Sequence, residues 1–134
     1  MAPPIAGLQF EVHLMALVLI VEDEVLIRES ADWAMEDLGH TTLLACDLDE
    51  AIVHLSASAT IDALFVDMRL NTLPFGGYDV ANRAIALQPN VRVLYTSGTP
   101  LDADMTDRFV PGGQFIQKPY SPDQLGASME QLLV

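Results

Sequence analysis

The 134-residue sequence contains one lysine, one cysteine and one tryptophan. Lys118 is the solitary lysine, and the five arginines, at 28, 69, 83, 92 and 108, are scattered among nineteen carboxylates that bring the formal charge to -13. Phosphate backbones and anionic headgroups are held by clustered Lys and Arg, so this balance excludes direct nucleic-acid binding and electrostatic attraction to membranes. With Cys46 alone, neither an intrachain disulfide nor a thiolate zinc site can form, and a reducing compartment, the cytoplasm, is the expected home. Cys46 itself reads as a small buried residue, and Trp33 as packed or half-exposed. His13, His40 and His54 are far apart along the chain. Long apolar runs are missing too: Met15 to Val21 falls short of the roughly 20 residues that span a bilayer. No Lys or Arg precedes that run, as a secretory signal would require, so membrane insertion is not expected.

The hydrophobic content of 51% and the absence of low-complexity tracts indicate one folded domain. Residues 1–14 read as an N-terminal extension and 15–134 as the domain, with no second domain following. Short apolar runs alternate with amphipathic stretches. Ala16 to Val21, Thr41 to Ala45, Ala63 to Val66, Val91 to Tyr95 and Gln114 to Gln117 have strand length and β-branched or aromatic content. Between them, helices are predicted over Val25 to Leu38, closed by Gly39, and over Leu48 to Ala57, Tyr78 to Leu87 and Ser121 to Leu133. A shorter helix is predicted over Asp102 to Val110. Such alternation demands right-handed crossovers and hence a parallel sheet with helices on both faces. Five βα units fit a doubly wound, flavodoxin-like (βα)5 fold of strand order 2-1-3-4-5, which binds ligands at the carboxyl ends of its strands.

The strand ends are therefore informative. After the first strand comes Glu22-Asp23-Glu24, where a nucleotide-binding turn would have glycines; three carboxylates repel a pyrophosphate. The third strand ends in Asp67, which the fold sets beside Glu22 and Asp23, and a hard cation such as Mg2+ would bridge these carboxylates. Thr96-Ser97-Gly98 follows the fourth strand and Lys118-Pro119 the fifth. A carboxylate nucleophile, a metal site, a hydroxyl and an ammonium on one edge make a phosphoryl-transfer constellation. Taken singly these residues have ordinary explanations: Asp67 and Asp23 as turn or cap residues, Glu22 and Glu24 as helix N-terminal charges, Ser97 as a loop hydroxyl and Phe115 as core.

With LIVEDE, LFVDMRL, YTSG and FIQKPY in order and at suitable spacing, the chain from about Leu17 onward resembles the receiver domain of two-component response regulators. The resemblance implies that Asp67 is the phosphoacceptor, receiving a phosphoryl group from a phosphohistidine on a sensor histidine kinase or histidine phosphotransfer protein. It implies Mg2+, with Mn2+ as a substitute, held by Asp23 and Asp67, by the main-chain carbonyl of Arg69, and by Glu22 through water. Lys118 would pair with Asp67 and then with a phosphoryl oxygen, and the Lys118-Pro119 bond would be cis. Ser97, or its neighbour Thr96, would be the switch hydroxyl, and Phe115 the aromatic switch. Arg69 and Thr99 lie where the family tunes access of the hydrolytic water. The loop Asn71 to Gly77 is a residue or two longer than usual for the family, and the fourth helix is short.

A single-domain receiver would act by a surface change read by a downstream protein, or by passing the phosphoryl group onward, and would not be a turnover enzyme. Two other readings compete. A phosphatase of the haloacid dehalogenase type also uses a strand-end aspartate with Mg2+, but wants a carboxylate where Arg69 stands. A degenerate receiver serving only as a binding module is opposed by intact Asp67, Asp23 and Lys118.

Overall fold

The computed structural model describes residues 15–71 and 73–134; the expected extension over residues 1–14, His13 included, lies outside them. Five strands and five helices alternate: β1 (Leu17–Val21), α1 (Val25–Asp37), β2 (Thr41–Ala45), α2 (Leu48–Leu55), β3 (Ala63–Asp67), α3 (Gly76–Leu87), β4 (Arg92–Ser97), α4 (Ala103–Asp107), β5 (Gln114–Gln117) and α5 (Pro122–Leu133). All strand pairs are parallel and the order is β2-β1-β3-β4-β5, the flavodoxin-like topology.

Alternation along the strands sends side chains to two cores. Leu19, Val21, Leu64, Val66, Val93 and Tyr95 face one way, toward Ala51, Leu55, Val80, Ala81 and Ala84 of α2 and α3. Val18, Ile20, Phe65, Leu94 and Ile116 face the other, toward Ala31 and Met35 of α1 and Leu125, Met129 and Leu132 of α5. Strands covered on both faces explain why LVLIV and ALFVD read as nearly unbroken apolar runs.

Local chemistry sets the helix ends. Gly39, at φ 94°, follows α1 in the left-handed region that glycine enters freely. Asp47 caps α2 and Asp102 caps α4 by accepting from the main-chain N–H three residues on, and Ser121 with Gln124 forms a reciprocal box at α5. The fourth helix is shorter than its amphipathic stretch suggests. Asp102 is spent as its cap, and beyond Arg108 the chain turns through Pro111 to Gly112, the latter at φ 77°. No helix among the described residues is long and apolar enough to cross a membrane. Trp33 departs from the expectation that it is packed or half-exposed: α1 presents it outward, 66% exposed. Cys46 is half-buried rather than buried.

Candidate functional site

The carboxyl ends of β1, β3, β4 and β5 meet in one cleft of about 480 Å³, whose lining includes Asp23, Asp67, Arg69, Ser97 and Lys118. Glu22 leaves β1 still tied to the sheet, its N–H donating to the Ala45 carbonyl, and its side chain is buried. The Arg28 guanidinium, one turn into α1, donates to the Glu22 carbonyl at 2.8 Å. Asp23 is half-buried and accepts at 3.0 Å from the N–H of Asn71, which turns at φ 55°, a conformation Asn tolerates better than most residues. Paired N–H and carbonyl groups of Leu70 and Leu73 close that turn, which also holds Asp23.

Lys118 sits at the centre of the charges. Its Nζ donates to Asp67 Oδ2 at 2.8 Å and to Glu22 Oε1 at 2.7 Å, with side-chain exposures of 19% for Lys118, 11% for Asp67 and 4% for Glu22. Its own N–H extends the β4–β5 ladder by donating to the Ser97 carbonyl at 2.8 Å, and the Lys118-Pro119 bond is cis. The other Asp67 oxygen, Oδ1, accepts from the Arg69 N–H at 3.1 Å. The carboxylate is thus oriented by one main-chain donor and one ammonium.

Burial pushes the Glu22 carboxyl up to about 7; the Lys118 hydrogen bond lowers it and the charge of Asp67 raises it again. Burial works against the Lys118 ammonium, but its bonds to Asp67 and Glu22 outweigh that and leave its pKa raised. The one ammonium thus pairs with Glu22 and Asp67, and Asp23 lies beside them without it. Glu22, Asp23 and Asp67 each offer an oxygen within 4.8 Å of the others, a hard, anionic donor set suited to Mg2+. Arg69, whose carbonyl completes the expected set, lines the same cleft.

The two candidate hydroxyls are separated by the strand pleat. Ser97 is half-buried in the cleft wall and its Oγ accepts from the Thr99 N–H at 3.0 Å. Thr96 is buried, with no hydrogen-bond partner for its Oγ1 among the described residues. Phe115 is half-buried on the edge strand β5 and stacks on Phe109 at 6.4 Å between centroids; Phe109 in turn lies 4.2 Å from the Tyr95 ring. The direct Glu22–Lys118 bridge was not anticipated, since sequence shows both charges but not that a buried Glu22 would reach the ammonium. The apolar wall of the cleft, Phe75, Tyr78 and Met105, also escaped notice.

The model of the response regulator receiver domain family matches residues 18–130. Among solved structures, a response regulator receiver protein from Sinorhizobium medicae is 27% identical, with a TM-score of 0.79 over 90% of this chain and 95% of that one. NtrX from Brucella abortus, also 27% identical with a TM-score of 0.79, is matched over 90% of this chain but only 27% of its own length. A Vibrio cholerae chemotaxis protein, CheY4, shares the fold at 20% identity and a TM-score of 0.80, over 89% of this chain and 99% of that one. The match spans nearly the whole described sheet and its helices, and this chain belongs to the response regulator receiver domain family, the phosphoryl-accepting signalling domains of two-component systems.

Proposed function

We propose that Asp67 is the phosphoacceptor and that the protein works as a cytoplasmic receiver, taking its phosphoryl group from the phosphohistidine of a sensor histidine kinase or a histidine phosphotransfer protein. The observation that carries this reading is the convergence of Glu22 and Asp67 on the one lysine, at 2.7 and 2.8 Å, in a cleft that also holds Asp23. In the transfer, an Asp67 carboxylate oxygen forms the new bond to phosphorus as the phosphorus–nitrogen bond of the donor breaks. Lys118 then follows the charge from the carboxylate to a phosphoryl oxygen.

Glu22, Asp23, Asp67 and the Arg69 carbonyl are the groups that would hold Mg2+, which when bound neutralises phosphoryl oxygens; Mn2+ offers the same hard chemistry. Ser97 is the switch hydroxyl of choice. Its oxygen already accepts from Thr99, so its O–H is free to donate toward a phosphoryl oxygen, whereas the Thr96 hydroxyl is buried on the other side of the strand. Phe115 is the aromatic that responds, and its stacking on Phe109 is the contact its movement would change. The output is a change of the β4–α4 and β5–α5 surface read by another protein, or onward transfer of the phosphoryl group. A phosphatase is disfavoured because exposed Arg69 stands where that chemistry needs an acid.

A phosphotransfer profile against purified histidine kinases and histidine phosphotransfer proteins tests the assignment. The expected outcome is rapid, Mg2+-dependent labelling from one donor that Asp67→Asn abolishes. Equal labelling of Asp67→Asn would refute it.

A further inference from the structure

A cation that the phosphoacceptor constellation leaves unused lies beside the cleft, over one of its lining residues. Phe75 is the N-cap residue of α3, lines the cleft and is 48% exposed. Over that ring, 4.2 Å from the centroid, lies the guanidinium carbon of Arg108, the C-cap residue of α4. Arg108 is exposed, and among the described residues its guanidinium forms no ion pair or hydrogen bond. An aromatic face attracts a guanidinium through its quadrupole and leaves the in-plane N–H donors open. Phe75 itself is backed by Tyr78, at 6.0 Å, which packs on Tyr95 and Phe109, so the platform under the charge is built into the core.

The electrostatic setting gives this charge a use. A phosphoryl donor is anionic, yet the protein carries -13 and the cleft contains Asp23, Glu24 and Asp67. Lys118 is bound to two carboxylates, Arg69 is the other cation of the lining, and Asp104 and Asp107 of α4 oppose Arg108 from its own helix. We propose that Arg108, held beside the cleft by the Phe75 ring, attracts the anionic phosphoryl group of the incoming donor and so sets the rate at which donors reach Asp67. This rests on the phosphoacceptor reading of Asp67. Arg108 is a positioning residue for the encounter and takes no part in bond making.

For a dianion on the order of 10 Å away in water, one unit charge raises local concentration roughly fourfold, and salt screens the effect. The probe is acetyl phosphate with Mg2+, followed by intact mass. At low ionic strength the second-order rate of phosphorylation of Arg108→Gln should fall roughly fourfold, and the difference should vanish at about 0.5 M salt. Arg108→Lys should recover most of the rate, and Phe75→Leu, which keeps apolar bulk without a π face, should lie between wild type and Arg108→Gln. The rate of phosphoryl loss from phosphorylated protein should be unchanged in both Arg108 variants. Equal rates for wild type and Arg108→Gln at low salt would overturn the proposal, as would a deficit that persists unchanged at high salt, which marks a structural role. A wild type that takes no phosphoryl group at all would sink the phosphoacceptor reading and this inference together, an outcome distinct from the other two.

Discussion

Gly77 packs α3 against the strand that ends in Asp67, and replacing it with alanine should damage both stability and site. A Cβ at that position would lie 2.3 Å from the Asp67 carbonyl oxygen, 2.6 Å from the Met68 Cα and 2.9 Å from the Asp67 carbonyl carbon. Carbon atoms in contact prefer about 3.5–4.0 Å, so the first turn of α3 and the end of β3 must separate by about 1 Å. Every atom named is main chain, and a rotamer change cannot relieve the overlap. Overpacking of this kind costs about 1–3 kcal/mol, and the Gly77 N–H bond to the Met68 carbonyl, 2.9 Å long, is worth about 1 kcal/mol more, so a loss of about 3 kcal/mol is expected. Gly76→Ala is the control. Its nearest neighbour is the Leu70 Cβ at 3.0 Å, and the gain in helix propensity, up to about 1 kcal/mol, offsets the crowding. Urea denaturation should therefore separate two adjacent alanines by more than about 2 kcal/mol. Displacement of the Asp67 backbone should slow phosphorylation of Gly77→Ala as well. If both variants unfold at the same urea concentration, the close approach of α3 to β3 is not what positions the aspartate.

Lys118→Met leaves Glu22 and Asp67 facing each other without a cation, and a loss of about 2 kcal/mol near neutral pH is expected, below the full penalty for a buried pair because the lysine is 19% exposed. Added Mg2+ should restore much of it. In metal-free wild-type protein the Glu22 carboxyl, raised from 4.5 to about 7, binds its proton more tightly folded than unfolded, so its contribution to stability is greatest below pH 4.5 and falls as pH rises toward 7. Denaturation with and without Mg2+ across that window should show the decline only without metal. His40 works in the opposite sense. Its Nδ1 accepts from the Ala16 N–H at 3.1 Å, and burial lowers its pKa below 6.5, so stability drops as pH falls from 6.5 through the folded value. A proton-NMR titration placing His40 at or above 6.5 would contradict this. Cys46, its thiol pushed up to about 11 chiefly by the hydrogen bond to Glu50, should alkylate slowly at neutral pH and faster in Glu50→Gln.

The fold was legible because its signals are local and repeated: the inner strands carry short apolar runs such as LVLIV and ALFV, and several helices carry their own punctuation, such as Gly39 or the Ser121–Gln124 pair. The site was legible because a parallel sheet assembles whatever follows its strands on one edge, so Glu22, Asp23, Asp67, Ser97 and Lys118 could be placed together from order alone. What escaped was side-chain direction and degree of burial. The adjacent Thr96 and Ser97 differ only in which side of β4 they occupy, and that follows from the register Asp67↔Thr96, which is a property of the sheet. Whether Glu22 bonds Lys118 depends on how deeply the end of β1 is buried, and whether Trp33 packs depends on which face of α1 meets the sheet. The cation over Phe75 joins residues 33 apart at the ends of two different helices, where no periodicity speaks.

The central claim is that Asp67 accepts a phosphoryl group in a site completed by Mg2+ and Lys118. Intact mass spectrometry after incubation with acetyl phosphate tests it most directly, on wild type with Mg2+, on wild type with a chelator, and on Asp67→Asn with Mg2+. A single phosphoryl adduct in the first sample alone, mapped to Asp67, is the predicted result. An adduct that persists in Asp67→Asn, or no adduct in wild type with Mg2+, would contradict it.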